Sequence, residues 1–384
     1  MKRYGIFTRD VTLVLLAGFF FMVSPMMVTP LVAGFGESMG AGGVLMGVLA
    51  AATNICSLCF RPVTGMVVDR ISRYKWALIG NFFVTLACVG YVLSTSPLML
   101  LGSRLVHGVG FAFSTVCTTV WMADLLPEEK LGAGMGVYGA VNALSMAIGP
   151  TLGVFLYRHY GYRAAFVAAL VFCLLATVTI HLISERCEPK AVAEKKPLRI
   201  LDKNVIFIAL TLMLFGIPYF ATQSFLLTYA GVRGVAANVA YFFLLYAFFV
   251  FFTRLIMKNL FDTLSFGKFV AMGSVSALLA IVCLHFLSNY ITLVLAGLFM
   301  AGGYGLMCTV CQAEAIRHAA PGSRGLAGTT LYMGMDLGMI LGPLIAGILY
   351  AHLPVELFYP VLAVTVPMCG VVYLAEVCRR KRRE

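Results

Sequence analysis

The sequence has few charged residues. They make up 11% of its 384 residues, whereas hydrophobic residues make up 61%. Soluble globular chains carry roughly 25% charged residues. So few charges cannot cover the surface of a water-soluble particle of this size, so most of the chain is predicted to lie in lipid. A membrane-spanning helix needs about 20 mostly apolar residues, and the sequence has room for about a dozen such stretches.

Other absences exclude further classes of protein. The chain has no Gly-x-x-x-x-Gly-Lys-Ser/Thr loop, which argues against pumping driven by ATP, and we expect no cofactor. No paired histidines or nucleophile constellation lies in the apolar stretches, so an enzyme is not expected. The eleven cysteines are scattered, and neither Cys56-x-x-Cys59 nor Cys308-x-x-Cys311 has a histidine or carboxylate at metal-ligand spacing. We therefore predict no metal site, and cysteines that act mainly as small hydrophobic residues.

The apolar stretches predict an all-α membrane protein with twelve spans. No small-residue cleavage site follows the charged N-terminus, so the first stretch is predicted to be a retained helix. The predicted spans, by residue number, are 11–33, 43–68, 76–94, 97–123, 132–157, 164–184, 204–229, 237–257, 267–287, 290–313, 325–351 and 357–377.

The placement of the positive charge predicts the orientation. With these spans, and with Lys268 at the edge of its span counted with the adjoining loop, 22 of the 28 lysine and arginine residues fall on one side of the membrane, and three fall on the other. This asymmetry is the positive-inside pattern, which predicts cytoplasmic termini in a multi-pass protein of the cell (inner) membrane. The basic run from Arg379 to Arg383 is then predicted to face anionic lipid headgroups, and no nucleic-acid partner is expected.

A shift of 193 residues superimposes many glycine, proline and charged positions of the two halves. One offset without gaps covers five predicted helices in each half. The matching positions include Pro25 and Pro218, Arg61 and Arg254, Asp69 and Asp262, Lys75 and Lys268, Gly110 and Gly303, Gly149-Pro150 and Gly342-Pro343, and His159 and His352.

Such a repeat predicts two pseudo-symmetric six-helix bundles, related by an axis along the membrane normal. The first bundle is predicted over 1–184 and the second over 204–384, with a basic cytoplasmic tail. Residues 185–203 form the predicted cytoplasmic linker. This arrangement is typical of transporters that bind a substrate between two halves near the middle of the membrane.

Three motifs then identify a family. Residues 65–75 read Gly-Met-Val-Val-Asp-Arg-Ile-Ser-Arg-Tyr-Lys, which resembles the G-x-x-x-D-R-x-G-R-R/K loop of the major facilitator superfamily. The Arg104-x-x-x-Gly108 segment resembles the family's R-x-x-x-G motif. The Gly149-Pro150-x-x-Gly153 segment is similar to the G-P-x-x-G-G element of the family's antiporter branch.

Further segments resemble the twelve-helix drug and metallophore exporters of this family. They are Arg61-Pro62, the Asp-x-x-Pro-Glu run that begins at Asp124, and the Asp-Leu-Gly-x-x-x-Gly-Pro run that begins at Asp336. The sequence departs from the family pattern at Ser72, which replaces the loop glycine, and at Tyr74, which replaces a basic residue. Val154 and Ser145 replace two glycines of the antiporter element.

The resemblance implies a conformational latch at the cytoplasmic side. Its residues would be Gly65, Asp69, Arg70, Arg73 and Asp124. Gly65 lets two helix backbones approach closely. Asp69 would accept hydrogen bonds from the N-terminal end of span 11, and the two arginines would pair with Asp124. The alternative is interfacial charge that only sets the topology.

Proton coupling is predicted to involve Asp336, the one acid near the middle of a predicted span. A charge at that depth costs about 2.5 kcal/mol or more, so an ionisable residue there is a functional candidate. The resemblance implies that Arg104 holds a carboxylate or water and tunes proton transfer. A static ion pair is the alternative for both residues, and a carboxylate satisfied by helix backbone is a further alternative for Asp336. Gly149-Pro150 and Gly342-Pro343 are predicted hinges, because proline lacks the N–H that a helix interior uses, and a purely structural kink is the alternative.

Candidate residues for a substrate cavity follow by analogy with the spans that line such cavities. They are Asn54, Arg61, Asn142, Tyr219, Gln223, Arg254, Tyr304 and Tyr332. Symmetry favours a structural role for Arg61 and Arg254, and binding of an anionic substrate is the alternative. The abundant methionine, phenylalanine and tyrosine would suit an amphipathic or aromatic substrate.

The sequence therefore predicts a secondary transporter that works by alternating access. We expect proton-coupled export of a small amphipathic molecule, either a drug-like compound or a metallophore. Proton-linked uptake of a metabolite and flipping of a lipid-linked substrate remain alternatives. The expected partners are the small-molecule substrate, protons and the bilayer, and the chain is expected to function as a monomer.

Overall fold

The computed structural model describes residues 7–67, 72–127, 130–185, 201–235, 237–257, 264–319 and 324–381, and helices are the only regular secondary structure in them. The α-helices are α1 (Arg9–Val28), α2 (Val32–Ser38), α3 (Gly43–Val67), α4 (Arg73–Leu93), α5 (Pro97–Leu125), α6 (Leu131–His181), α7 (Ile206–Val232), α8 (Tyr241–Met257), α9 (Phe266–His285), α10 (Tyr290–Met300), α11 (Leu306–His318), α12 (Arg324–His352), α13 (Phe358–Ala363) and α14 (Thr365–Lys381).

Three short irregular helical turns that lie wholly within the described ranges continue these helices. They are 3₁₀ turns at Thr29–Leu31 and Val355–Leu357, and a π-helical turn at Ala301–Gly305 between α10 and α11. In the described part of the chain, ten helical stretches are long and apolar enough to cross a membrane. A further apolar helix, Tyr241–Arg254, is shorter. The prediction of an all-helical, multi-pass membrane protein is confirmed at this level.

The shortest connections are set by helix caps. Ser96 caps α5 by accepting the backbone N–H of Met99 at 3.3 Å, and Pro97 occupies the first turn, where its missing N–H costs nothing. Asn289 caps α10 with a capping box completed by Thr292. These caps begin a helix almost immediately after the preceding one ends, so the predicted connections near residues 95 and 288 are short.

The longest helix, α6, has a break at Gly161. Its 51 residues join two helices at this glycine, whose φ of 83° is outside helical geometry. Only glycine adopts a positive φ without a Cβ penalty, so the break is encoded by this residue. It falls between the two predicted spans 132–157 and 164–184.

The chain divides into two compact units. The first comprises residues 1–41 and 52–196, and the second comprises residues 42–51 and 197–384. The division between residues 196 and 197 falls within the predicted linker, 185–203, most of which lies outside the described residues. The predicted domain boundaries stay a prediction.

Glycines bring helix backbones into direct contact in the first unit. A Cβ on Gly149 would lie 2.5 Å from Cβ of Met26, and a Cβ on Gly153 would lie 2.9 Å from Cα of Met27, so α6 packs directly on α1. Helices in lipid gain little from the hydrophobic effect, so close packing at small residues is a main source of their association.

The second unit repeats this contact between α12 and α7. A Cβ on Gly342, the repeat mate of Gly149, would lie 2.8 Å from the carbonyl oxygen of Ile217 and 3.0 Å from Cβ of Phe220. Gly338 approaches Met213 and Gly216 in the same way. The same positions of the repeat therefore make the same kind of helix contact within each unit.

These contacts predict that Gly153→Ala destabilises the protein. The added Cβ would collide with the backbone of Met27, which cannot move without shifting α1. We expect a loss of about 1–3 kcal/mol, in the range of overpacking, measured as a lower unfolding temperature in detergent micelles.

The control is Gly139→Ala in the same helix, where a Cβ would meet nothing within 4 Å. This variant should keep or slightly raise the unfolding temperature, because alanine is the better helix former. Equal effects of the two substitutions would contradict the direct backbone contact.

Candidate functional site

Two of the predicted latch residues lie together in the first unit. Arg73 is the first residue of α4, and Asp124 lies one residue before the end of α5. The Arg73 Nε atom donates a hydrogen bond to Oδ2 of Asp124 at 3.0 Å. Gly65 is part of α3, whereas Asp69 and Arg70 lie outside the described residues. Their action as a latch stays a prediction.

The helix ends explain why this ion pair forms. A helix N-terminus carries a partial positive charge and a C-terminus a partial negative one. Arg73 at an N-terminus and Asp124 at a C-terminus are therefore each repelled by the partial charge of their own helix end. The ion pair between them offsets both repulsions. Arg73 is almost fully buried, and its backbone carbonyl also accepts a hydrogen bond from the Cys117 thiol at 3.1 Å. The pair thus ties the ends of α4 and α5 together.

A buried polar cluster surrounds Arg104 in the first unit. Arg104 is only 2% exposed. The Thr53 hydroxyl of α3 donates to the Arg104 carbonyl at 3.0 Å. The Arg104 side chain hydrogen-bonds the Tyr91 hydroxyl of α4, which in turn lies 2.7 Å from Nδ1 of His107. Three helices thus supply groups that surround one buried cation.

Asp336 lies in the second unit, in the interior of α12, and is 4% exposed. Gly334 and Gly338, two residues before and two residues after it, pack on α7. Two residues turn a helix by about 200°, so Asp336 points away from α7. It interacts electrostatically with Tyr304. The acid is therefore buried and lies on the face of α12 away from the glycines.

A tyrosine cluster occupies the same unit. The rings of Tyr219 and Tyr304 stack with centroids 4.5 Å apart, and Tyr246 lies 4.8 Å from Tyr219. Phe220 meets Tyr304 edge to face at 5.3 Å. Tyr304 belongs to the π-helical turn, a local irregularity that is frequent at functional sites. Tyr219 and Tyr304, two predicted cavity residues, are thus in direct contact.

The other predicted cavity residues are dispersed. Gln223 is buried in α7, Asn54, Arg61 and Asn142 are half-buried, and Arg254 and Tyr332 are exposed. Their role in a cavity stays a prediction. The predicted hinges at Gly149-Pro150 and Gly342-Pro343 lie within unbroken stretches of α6 and α12.

Comparison with known proteins identifies the family. Residues 14–318 match the family model described as Major Facilitator Superfamily. The chain belongs to this superfamily.

Three relatives illustrate what this superfamily member is similar to. An uncharacterized MFS-type transporter of Methanocaldococcus jannaschii is 20% identical over 96% of this chain and 98% of its own length. Multidrug resistance protein 1 of Bacillus subtilis is 24% identical over 85% of each chain. The multi-drug resistance efflux pump PmrA of Streptococcus pneumoniae is 27% identical over 49% of this chain and 48% of its own.

Solved structures agree on the fold. A peptide transporter POT in complex with sulfate matches with a TM-score of 0.80 and 13% identity, over 98% of this chain and 96% of the other. The nucleoside transporter NupG matches with a TM-score of 0.74 and 12% identity, over 94% and 99%. At these identities the structural likeness shows the fold alone.

Tyr91, His107 and Tyr246 were not predicted from the sequence. His107 lies three residues after Arg104, so the two share a helix face, and this spacing was a usable signal. No comparable signal marks Tyr91 or Tyr246. Their partners lie on other helices, and the rotation of those helices decides which side chains meet.

The ion pair at the ends of α4 and α5 predicts a measurable coupling between its members. Arg73→Gln leaves Asp124 without this cation, and Asp124→Asn leaves a buried arginine without this carboxylate, so each single variant should lose stability. In the double variant the losses should fall short of their sum by about 1–2 kcal/mol. Denaturant titration in detergent micelles measures this difference.

The exposed Arg163 provides the matched control for this cycle. Arg163→Gln in the same unit should change the unfolding free energy by less than about 0.5 kcal/mol, as surface substitutions usually do. Strictly additive losses at Arg73 and Asp124 would show that their 3.0 Å contact contributes nothing.

Proposed function

We propose that this chain is a proton-coupled exporter of small amphipathic molecules, either drug-like compounds or metallophores. In this proposal it is a carrier of the cell membrane that works by alternating access and not an enzyme. Membership in the superfamily supports transport of a small molecule. The printed names of relatives from Bacillus subtilis and Streptococcus pneumoniae, which are multidrug resistance and efflux proteins, support export.

The proposed topology has twelve spans in two six-helix bundles, with both termini in the cytoplasm. The ten long apolar stretches include α6, whose break at Gly161 supports counting it as two spans. The shorter apolar helix at Tyr241–Arg254 supports the remaining span. The excess of lysine and arginine on one predicted side supports the orientation.

The burial of Asp336 is the main observation that supports proton coupling. An ionised carboxylate inside an apolar helical body costs several kcal/mol, and a bound proton removes that cost. A carboxyl group that exchanges a proton during the transport cycle can therefore link that cycle to the proton gradient. Each charge that crosses is worth about 2.3 kcal/mol per 100 mV.

The tyrosine cluster supports an amphipathic substrate. Tyr219, Tyr246 and Tyr304 combine large apolar faces with hydroxyl groups, and aromatic rings with a few polar groups are typical of sites for small organic molecules. The cluster and Asp336 belong to one unit, and Tyr304, which stacks on Tyr219, interacts electrostatically with Asp336. We propose that Tyr219 and Tyr304 line the substrate path beside the proton-binding acid.

The test measures transport in membranes from a bacterium that lacks its own efflux pumps. Vesicles receive a panel of amphipathic toxins and metal chelators, and accumulation is followed with and without an imposed pH gradient. Asp336→Asn should abolish gradient-driven transport and preserve exchange of substrate at equal pH, because only the proton-binding group has been removed.

Glu356 supplies the control, since it is an exposed acid in the same unit. Glu356→Gln should transport like the wild type. Unimpaired gradient-driven transport by Asp336→Asn would refute coupling at Asp336. Accumulation of a metabolite inside intact cells, with no protection against any toxin, would favour proton-linked uptake instead.

A further inference from the structure

The polar cluster of the first unit forms an ordered hydrogen-bonded row. The side chain of Arg104 carries only donors, so the Tyr91 oxygen accepts from it. The same hydroxyl lies 2.7 Å from Nδ1 of His107 and forms a hydrogen bond with it. Both Arg104 and His107 are buried. The Tyr91 hydroxyl therefore links the imidazole of His107 to the guanidinium of Arg104.

The second unit packs its equivalent helices without this row. Shifted by 193 residues, Tyr91, Arg104 and His107 correspond to Leu284, Gly297 and Met300. The pair α9–α10 has an apolar contact where α4–α5 has three hydrogen-bonding side chains. The helix pair can thus form without the row, so packing alone does not explain why this polar set is present in the first unit.

We propose that Tyr91 and His107 are positioning residues, which fix the Arg104 guanidinium and so set the pH dependence of transport. This inference rests on the proposed proton-coupled transport, and on the role in proton transfer that the resemblance implies for Arg104. His107 holds the hydroxyl, the hydroxyl holds the guanidinium, and Thr53 holds the backbone of the same residue. Breaking any link lets the buried cation turn away from its working position.

Other titratable groups face the row from the helices packed around it. Cys56 of α3 lies against α5 beside Gly108. Cys88 of α4 interacts with Tyr91 and lies 3.9 Å from Cys173 of α6. These thiols stay unchanged in every variant of the test, so none of them accounts for a difference between the variants.

Further aromatic residues pack next to the Tyr91 end of the row. Phe166 of α6 contacts the ring of Tyr91, and Tyr162 contacts Phe166 on its other side. Glu37 of α2 interacts with Tyr162. This carboxylate stays unchanged in every variant of the test, so differences between variants report on the row itself.

The experiment compares Tyr91→Phe, His107→Leu and His107→Asn in membrane vesicles. Gradient-driven transport is recorded from pH 5.5 to 7.5, and substrate exchange at equal pH is recorded in parallel. The asparagine amide offers both a hydrogen-bond donor and an acceptor near the position of Nδ1, so His107→Asn should keep the wild-type profile. Tyr91→Phe and His107→Leu should each move the half-maximal pH by about one unit, the tenfold effect of losing one hydrogen bond to a charged group.

The double variant Tyr91→Phe, His107→Leu should shift no further than either single variant, because both break the same row. Exchange at equal pH should stay within about twofold of wild type, and unfolding in detergent confirms that each variant folds. A wild-type profile in His107→Leu and Tyr91→Phe would overturn the inference, as would an equal loss of exchange and gradient-driven transport. A wild-type chain without gradient-driven transport would instead refute the proposed function, and this inference with it.

Discussion

Direct contact between helix backbones at glycine is the constraint on which both units depend. Gly153 meets Met27, and Gly342 meets Ile217 and Phe220, so neither contact leaves room for a side chain. These contacts fix the rotation of the helices that make them, and therefore the direction in which the polar side chains of those helices point. In lipid this matters more than in water, because a misdirected polar group finds no solvent to replace its partner.

The buried ionic residues illustrate this dependence. Gly108 packs on α3 against the backbone of Ser57 and the side chain of Cys56, one turn after Arg104. That contact brings Arg104 to the same helix face and to Thr53. In the second unit the glycines of α12 face α7, which turns Asp336 about 200° away from this contact. Each functional candidate is thus placed by a neighbouring glycine and not by a loop.

Much of this architecture was predictable because it depends on local composition. Apolar length predicted membrane-spanning helices, the offset of 193 residues predicted that Gly149 and Gly342 are equivalent positions, and the family resemblance drew attention to Arg73 and Asp124. The resemblance of residues 65–75 predicted the family, which the family model confirmed. Residues 69 and 70 lie outside the described part of the chain, so the latch stays a prediction.

What escaped prediction depends on side chains that meet across helices. No local sequence rule predicts the π-helical turn at Ala301–Gly305, yet this turn places Tyr304 in the tyrosine cluster. His107 was not predicted, because a lone histidine in an apolar stretch is usually a core residue. Its hydrogen-bond partner, Tyr91, lies sixteen residues earlier on another helix.

The equivalent positions Thr53 and Tyr246 show how a duplicated scaffold acquires different chemistry. Thr53 donates to the Arg104 carbonyl in the first unit, and Tyr246 packs beside Tyr219 in the second. One position of the repeat therefore supports a buried cation in one unit and an aromatic cluster next to a buried acid in the other. The glycine contacts fix the helices in both units. A different side chain at one position of the repeat therefore changes the polar groups of that unit without changing how its helices pack.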